Sequence, residues 1–297
     1  TDSDLHADLL ERVAHDRRAK VAITDIDGVL RGKYIHIDKL KSALKSGFGF
    51  CDVVFGWDMA DECYDRATFT GWHTGYPDAE VRLDPGTFRR IPWEDNVPFL
   101  MGDFVDSNED PLGVCPRQLL KRIIGQGRKL GLDARFGMEF EWFNFRETPQ
   151  SLADKSYVSP QPITPGMFGY SMLRPALNPD YFRDIMELLE AFRVPVEGLH
   201  TETGPGVTEA AIVNTTALEA ADRAVLFKTG VKEIAYQHGI VASFMAKWNE
   251  KLPGCSGHMH QSLWNDAGEN VFFDASDPRK MSDVFRSYVA GQLKLLP

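Results

Sequence analysis

Two glutamates, Glu139 and Glu141, stand one residue apart inside the apolar run FGMEFEWFNF at residues 136–145. Side chains alternate along a strand, so this spacing sends both carboxylates to one face while Met138, Phe140 and Trp142 take the other. Two ionised carboxylates held that close and partly shielded from water repel each other. A solvated face would relieve the repulsion, but Phe136, Phe140, Trp142, Phe143 and Phe145 argue against one. A divalent cation accounts for the pair better, and oxygen donors suit Mg2+ or Mn2+. Further donors occur downstream. EGLHTETGPGVTE, residues 197–209, places Glu202 and Glu209 on either side of a Gly-Pro-Gly turn, and SGHMHQS, residues 256–262, places His258 and His260 on one strand face. Each stretch alone is an ordinary loop or a surface His-x-His. Together the acids and histidines could hold two cations, the arrangement that offsets charge on a transferring phosphoryl group.

The elements that must position these residues are legible in outline. Residues 4–19 have helical spacing, with Leu5, Leu9, Leu10 and Val13 on one side. KVAITDIDGVLRGKYIHI predicts strand, turn and strand about Asp27-Gly28, and HIDKLKSALKSG a helix stopped by Gly47. Residues 50–105 predict short strands broken by many turn formers. The polar, turn-rich segment 103–116 predicts a boundary, giving a small mixed domain over residues 1–108 and a second over 109–297. In the second, Pro116 opens a helix with Leu119, Leu120, Ile123 and Ile124 facing inward. A loop with three prolines in SPQPITP follows the acidic strand, then a helix with Asn178 as its N-cap. TALEAADRAVLFKTGVKEIAYQHG predicts a long helix, and IVASFMAKW and GHMHQSLWN predict strands.

Composition narrows the function. The chain has 297 residues, a net charge of -10, 43% hydrophobic residues and 11% aromatics. That is a globular balance. The acidic surplus argues against nucleic acid or an anionic membrane as a partner, although bound metal ions could still admit an anionic substrate. Cys51, Cys63, Cys115 and Cys255 form no Cys-x-x-Cys pair, which predicts free thiols in a reducing compartment. The charged start lacks a secretory pattern, and no apolar run approaches the roughly 20 residues of a membrane span. A cytoplasmic protein is expected.

In order and spacing, GMEFEWF, HTETGPGVTE, ADRAVLFKTGVKEIAYQHGIVASFMAK and SGHMHQSLW resemble the glutamine synthetase family of ATP-dependent glutamate–amine ligases. TDIDGVLRGK, WDMAD, YPDAEVRLDP and IPWED resemble that family's small β-grasp-like domain. The resemblance implies an α+β fold: a small N-terminal β-grasp-like domain, then a catalytic domain with an antiparallel sheet and helices. It implies that Glu141, Glu202 and Glu209 hold one metal, and that Glu139 and His258 hold a second near the γ-phosphate. Glu197, His260 and Ser262 match positions that touch ATP. Asp58 matches an aspartate that binds and deprotonates ammonium from a neighbouring subunit, which implies a ring-shaped homo-oligomer. The implied substrates are ATP, glutamate and ammonia or another amine, joined through γ-glutamyl phosphate.

The chain departs from the family's pattern in three places. DMAD replaces the usual Gly-Ser-Ser run, and its Asp61 suits either a larger amine (polyamine, alkylamine or ethanolamine) or an ordinary surface loop. PGCSGHMH differs from the usual stretch before the histidines. The family's sequence continues beyond AGQLKLLP into arginines for glutamate and phosphate and a last glutamate ligand, so an incomplete site is expected. Two rivals remain. VAITDIDGVL resembles the first motif of haloacid-dehalogenase-type phosphatases, with Asp25 as nucleophile and Asp27 as acid/base. A non-catalytic structural relative of the ligases is the other.

Overall fold

The computed structural model describes residues 2–296, whose strands form two sheets in an α+β architecture. The chain begins with helix α1 (Asp2–Arg12), strands β1 (Arg18–Thr24) and β2 (Leu30–His36), helix α2 (Ile37–Ser46), and strands β3 (Phe48–Cys51), β4 (Asp78–Ile91) and β5 (Val97–Val105). These strands are ordered β2-β1-β5-β4-β3, antiparallel except for the parallel pair β1/β5. β1 and β2 form the expected hairpin, with Gly28 at a φ of 72° in its turn. Gly47, at a φ of 71°, ends α2 where the sequence places the stop.

Two expectations for this half need correction. α1 ends at Arg12, because Ala19, Val21 and Ile23 alternate into the core and draw the following segment into β1. Leu9 and Val13 are buried as expected, but Leu5 is exposed. The segment 50–105 contains one strand of 14 residues, β4, where short strands were expected. Its Pro85-Gly86 falls in the register shift between Asp84 and Arg89, so these turn formers bend the strand without ending it.

The second half contains helix α3 (Pro116–Lys129), strand β6 (Asp133–Phe145), helices α4 (Pro149–Asp154) and α5 (Pro179–Ala191), and strands β7 (Val196–Thr201), β8 (Val207–Ile212) and β9 (Thr215–Thr216). Helix α6 (Ala217–Gln237), strands β10 (Val241–Ser243) and β11 (Gly257–Trp264) and helix α7 (Asp283–Leu295) follow. β6 is the spine of the sheet. It pairs antiparallel with β8 on one side, with β10 and β11 on the other, and briefly with β9. Behind it, α6 packs Leu226, Phe227, Val231 and Ile234 into the core that contains Trp142. The Phe140 ring stacks on Phe227 at 5.7 Å, and Trp142 meets Phe227 edge-on at 5.6 Å. Burying each such side chain contributes about 1.5–3 kcal/mol.

Three local expectations fail here. Leu119 and Ile123 of α3 are exposed, 43% and 51%, and the buried residue of that helix is Arg117. The 146–166 loop contains α4, started by a reciprocal Thr148–Ser151 cap that proline counting does not reveal. Asn178 makes no side-chain cap, because its Oδ1 accepts from Arg146 Nη2 at 3.2 Å.

Arg117 explains why α3 is rotated, with Leu120 and Ile124 half-buried and Leu119 and Ile123 exposed. Its Nη1 donates to Asp103 of β5 at 2.7 Å, its Nη2 to Asp84 of β4 at 2.9 Å, and its Nε and Nη2 to Asp222 of α6 at 2.9 and 2.8 Å. Lys121 also meets Asp103. One guanidinium thus links the first sheet to the helix behind the second. Burial pushes the Asp222 carboxyl up even beside Arg117, so the acids depend on this cation. Arg117→Met should destabilise the chain by about 3–5 kcal/mol in chemical denaturation, because it strands buried carboxylates. Arg117→Lys should restore only part of the loss, since an ammonium cannot reproduce the planar fork.

A second acid anchors α4. Glu147 accepts from Lys155 Nζ at 2.6 Å, Ser151 Oγ at 2.5 Å and Gln161 N at 3.0 Å. Lys155 foremost, with these other donors, draws its carboxyl down to about 2. A depressed carboxyl stabilises the fold above its unfolded value and loses that effect as pH falls through the folded one. Amide protection across residues 147–161, corrected for intrinsic exchange, should therefore fall between about pH 4.5 and about pH 2. Glu147→Gln should remove that pH dependence.

Candidate metal centre

Cross-strand register assembles the acid and histidine face. Glu139 of β6 stands opposite His258 of β11 on one side and Ala211 of β8 on the other. Two residues along, Glu141 stands opposite Glu209 of β8, which in turn faces His200 of β7. Directly opposed residues share a sheet face, so register alone gathers these groups. His260 lies opposite Gly137, and its Nε2 reaches Glu139 Oε1 at 3.1 Å. Glu202 follows β7 at the start of the turn leading to β8, and its N–H bonds Val207 O at 3.0 Å.

That turn is fixed from behind. Gly206 has a φ of 69°, and a Cβ there would stand 2.6 Å from Asn144 O, so glycine is required on both counts. Asn144 is fully buried. Its Nδ2 donates to Gly206 O at 3.0 Å and Thr208 Oγ1 at 3.1 Å, while its Oδ1 accepts from Trp142 Nε1 at 2.8 Å and Tyr181 OH at 2.7 Å. The apolar side of β6 thereby sets the spacing between Glu202 and Glu209 on the polar side.

Two donor triads result, Glu139–Glu209–His258 and His200–Glu202–Glu209, each with donor atoms within 4.8 Å of one another. Glu209 belongs to both. His258 Nδ1 lies 3.0 Å from Glu139, and His200 lies 3.6 Å from Glu202 and 3.5 Å from Glu209. Burial raises the Glu209 carboxyl, and Glu141, Glu139 and Glu202 add to the rise against the opposing His200. Burial also raises Glu139, but His260 and His258 outweigh it and leave the group below its usual range. Carboxylates crowded this way, with imidazole nitrogens at the rim, form a donor set that fits divalent cations.

The structure brings together Glu139, Glu141, Glu202, Glu209, His258 and His260 as the sequence predicts. Glu141 lies outside both triads, because its carboxylate accepts the Ser256 hydroxyl. Glu197 is exposed in the bulge between Val196 and Gly198. Ser262 accepts from Trp264 Nε1 at 2.9 Å, farther along β11. Asp58 lies in the loop after β3, where its carboxylate accepts from Ala60 N at 2.8 Å and Glu62 N at 3.0 Å within that loop. Two residues of the face escaped the sequence reading. His200 shares strand parity with Glu202, a signal that was available. Tyr170 stacks on His200 at 4.3 Å across a long loop, and nothing in the sequence announces that contact.

Asp61 is engaged with Arg31 Nη1 at 2.6 Å. Arg31 Nε also reaches Asp25 at 2.8 Å, and buried Asp25 accepts from Asp27 N and Val29 N to close the β1–β2 turn. The phosphatase-like motif is thus an antiparallel hairpin whose first aspartate has a structural task, and the strand-to-helix crossover such a nucleophile needs is absent there.

Residues 113–297 match the family model described as glutamine synthetase, catalytic domain. The chain is 54% identical over 279 residues to type-1 glutamine synthetase 2 of Dictyostelium discoideum, covering 94% of this chain and 53% of that protein. It is 34% identical over 277 residues to a glutamate–isopropylamine ligase of Pseudomonas sp, covering 93% of this chain and 60% of that one. A solved structure of GmaS in complex with ADP is similar in fold, with a TM-score of 0.80 at 24% identity over 98% of this chain and 62% of that one. The chain therefore spans between half and two thirds of each of these proteins. With well over half of its own length matched by the family model, the chain belongs to the glutamine synthetase family.

Proposed function

We propose that this chain carries most of an ATP-dependent ligase site that joins an amine to the γ-carboxylate of glutamate. The observation behind this reading is the pair of donor triads sharing Glu209 on one sheet face. In it, Glu141, Glu202 and Glu209 hold one divalent cation, Mg2+ or Mn2+, with His200 beside them. Glu139 and His258 hold a second, with Glu209 shared between the two. Bound cations supply the positive charge that lets two anions, glutamate and ATP, approach each other. Glu141 leaves Ser256 to reach its ligand position.

Around that centre the chain's residues orient the reactants. Glu197, His260 and Ser262 line the approach for ATP. The glutamate γ-carboxylate attacks the γ-phosphorus and ADP departs; the amine nitrogen then displaces phosphate. Asp58, brought by a neighbouring copy in a ring-shaped homo-oligomer, draws the amine in as its cation and takes its proton. The 1–108 segment acts as the domain that presents Asp58 to that neighbour. Ammonia is the first candidate for the amine. Alkylamines are the second, because Arg31 engages Asp61 and leaves Met59, next to Asp58 in the chain, 70% exposed. The relative named as a glutamate–isopropylamine ligase supports that choice.

Glu209→Gln should weaken Mn2+ binding at both positions by at least about tenfold, while Glu139→Gln should affect one. Calorimetric stoichiometry separates the two variants, and unchanged Mn2+ binding in Glu209→Gln would sink the shared-ligand assignment. Activity is tested as ADP release with ATP, Mg2+ and glutamate in the full-length protein containing this sequence, across amines from ammonia to polyamines. Asp58→Asn should lower turnover with the preferred amine while leaving Mn2+ affinity unchanged. Assembly without ADP release for any amine would instead favour a non-catalytic relative.

A further inference from the structure

Beyond β10 the second sheet borders a groove of about 1180 Å3, lined on one side by α6 and on the other by the segment 244–251. Its charge is opposite to that of the acid face. Lys228, Lys232, Lys247 and Lys251 line it, with Glu250 as the acid among the lining residues. Lys228 and Lys232 are one helical turn apart and therefore point the same way. Both ammonium groups lie 5.8 Å from the centre of the Phe244 ring. Among the described residues neither is paired with a carboxylate, whereas the other buried cation cluster, at Arg117, is fully paired. Burial and the neighbouring Lys228 together push the Lys232 ammonium down.

Two half-buried cations that repel each other and have no carboxylate partner form an incomplete donor set. A ring face satisfies an ammonium only weakly compared with a charge-assisted hydrogen bond. A single anion between the lysines would remove their repulsion. Because the chain carries a net charge of -10, a groove with four lysines is a local reversal that would concentrate anions.

We propose that this groove binds a small doubly charged anion, a phosphate group or a dicarboxylate, with Lys228 and Lys232 as its charge partners. This site is separate from the metal face and needs no cation. Its floor also bears on that face: Phe244 stacks on Trp142 at 5.9 Å, and Trp142 holds Asn144 behind the Glu202–Glu209 turn. An occupant would thus press on the wall that anchors the acids.

The test is calorimetric titration of the full chain with inorganic phosphate and, separately, succinate, in EDTA at constant ionic strength. Without metal the acid face repels anions, so failure of the ligase reading would leave this assay unaffected. Saturable binding of either anion is expected. Lys228→Met with Lys232→Met keeps the apolar stems on Phe244 and should weaken binding by about tenfold or more. Lys232→Met alone should weaken it severalfold, which keeps the test decisive if the double variant fails to fold. The two anions tell a phosphate site from a dicarboxylate site. No saturable binding of either, or binding unchanged in the folded variants, would overturn the proposal.

Discussion

Repulsion among carboxylates on one face of β6 and β8 is the constraint on which the rest of the site depends. Glu139, Glu141 and Glu209 are fixed as neighbours by antiparallel register, so they cannot relax apart without breaking the ladder. Like charges at this spacing, partly removed from water, oppose folding unless something offsets them. Without a metal the chain offsets them in part with imidazoles: His258 and His260 on Glu139, and His200 between Glu202 and Glu209. Burial still raises Glu209 above its ordinary range. On a face whose carboxylates repel one another, a bound cation would gain affinity by removing that repulsion.

The strain is tolerable because the reverse side of the same strands is stabilising. Trp142 and Phe140 pack against Phe227 on α6, and α6 is tied through Asp222 to Arg117 and so to Asp84 and Asp103 of the first sheet. Asn144 then carries that rigidity through β6 to the Gly206 turn. Each step is a buried contact with no slack, and the positions of Glu202 and Glu209 follow from it. Precision at the polar face is therefore set by apolar and buried polar groups on the reverse side of the sheet.

How much of this was legible in the sequence depends on whether the determining contact is local. The alternation of FGMEFEWFNF is local, and the split of acids from aromatics across β6 follows from it. The hairpin at Asp27-Gly28 and the stop at Gly47 are local for the same reason. The α3 face is not: Leu119, Leu120, Ile123 and Ile124 have inward spacing, yet three aspartates from distant elements require Arg117 there, and the helix turns accordingly. Asn178 loses its cap to Arg146 across the chain. Pro85-Gly86 looks like an end and is a bend, because strand pairing on both sides holds β4 together. At the site, His200 was within reach of parity, whereas Tyr170 arrives through a tertiary contact that no periodicity encodes.

The aromatic wall behind β6 has opposite charges on its two sides. On one, carboxylates crowd against each other; at the other edge, two ammonium groups crowd over Phe244. Aromatic side chains suit this position because they exclude water, which strengthens fields on both sides, while their π faces tolerate a cation. Among the described residues neither ammonium group pairs with these carboxylates, and the Phe140, Trp142, Phe227 and Phe244 rings pack between β6 and α6. The fold thus keeps its charges apart by packing rather than by distance in sequence: Lys228 lies one residue after Phe227, whose ring stacks on Phe140, and Phe140 sits between Glu139 and Glu141. Replacing these aromatics by smaller side chains would admit water and soften both charge clusters together. The core here is therefore a dielectric partition as well as a source of stability.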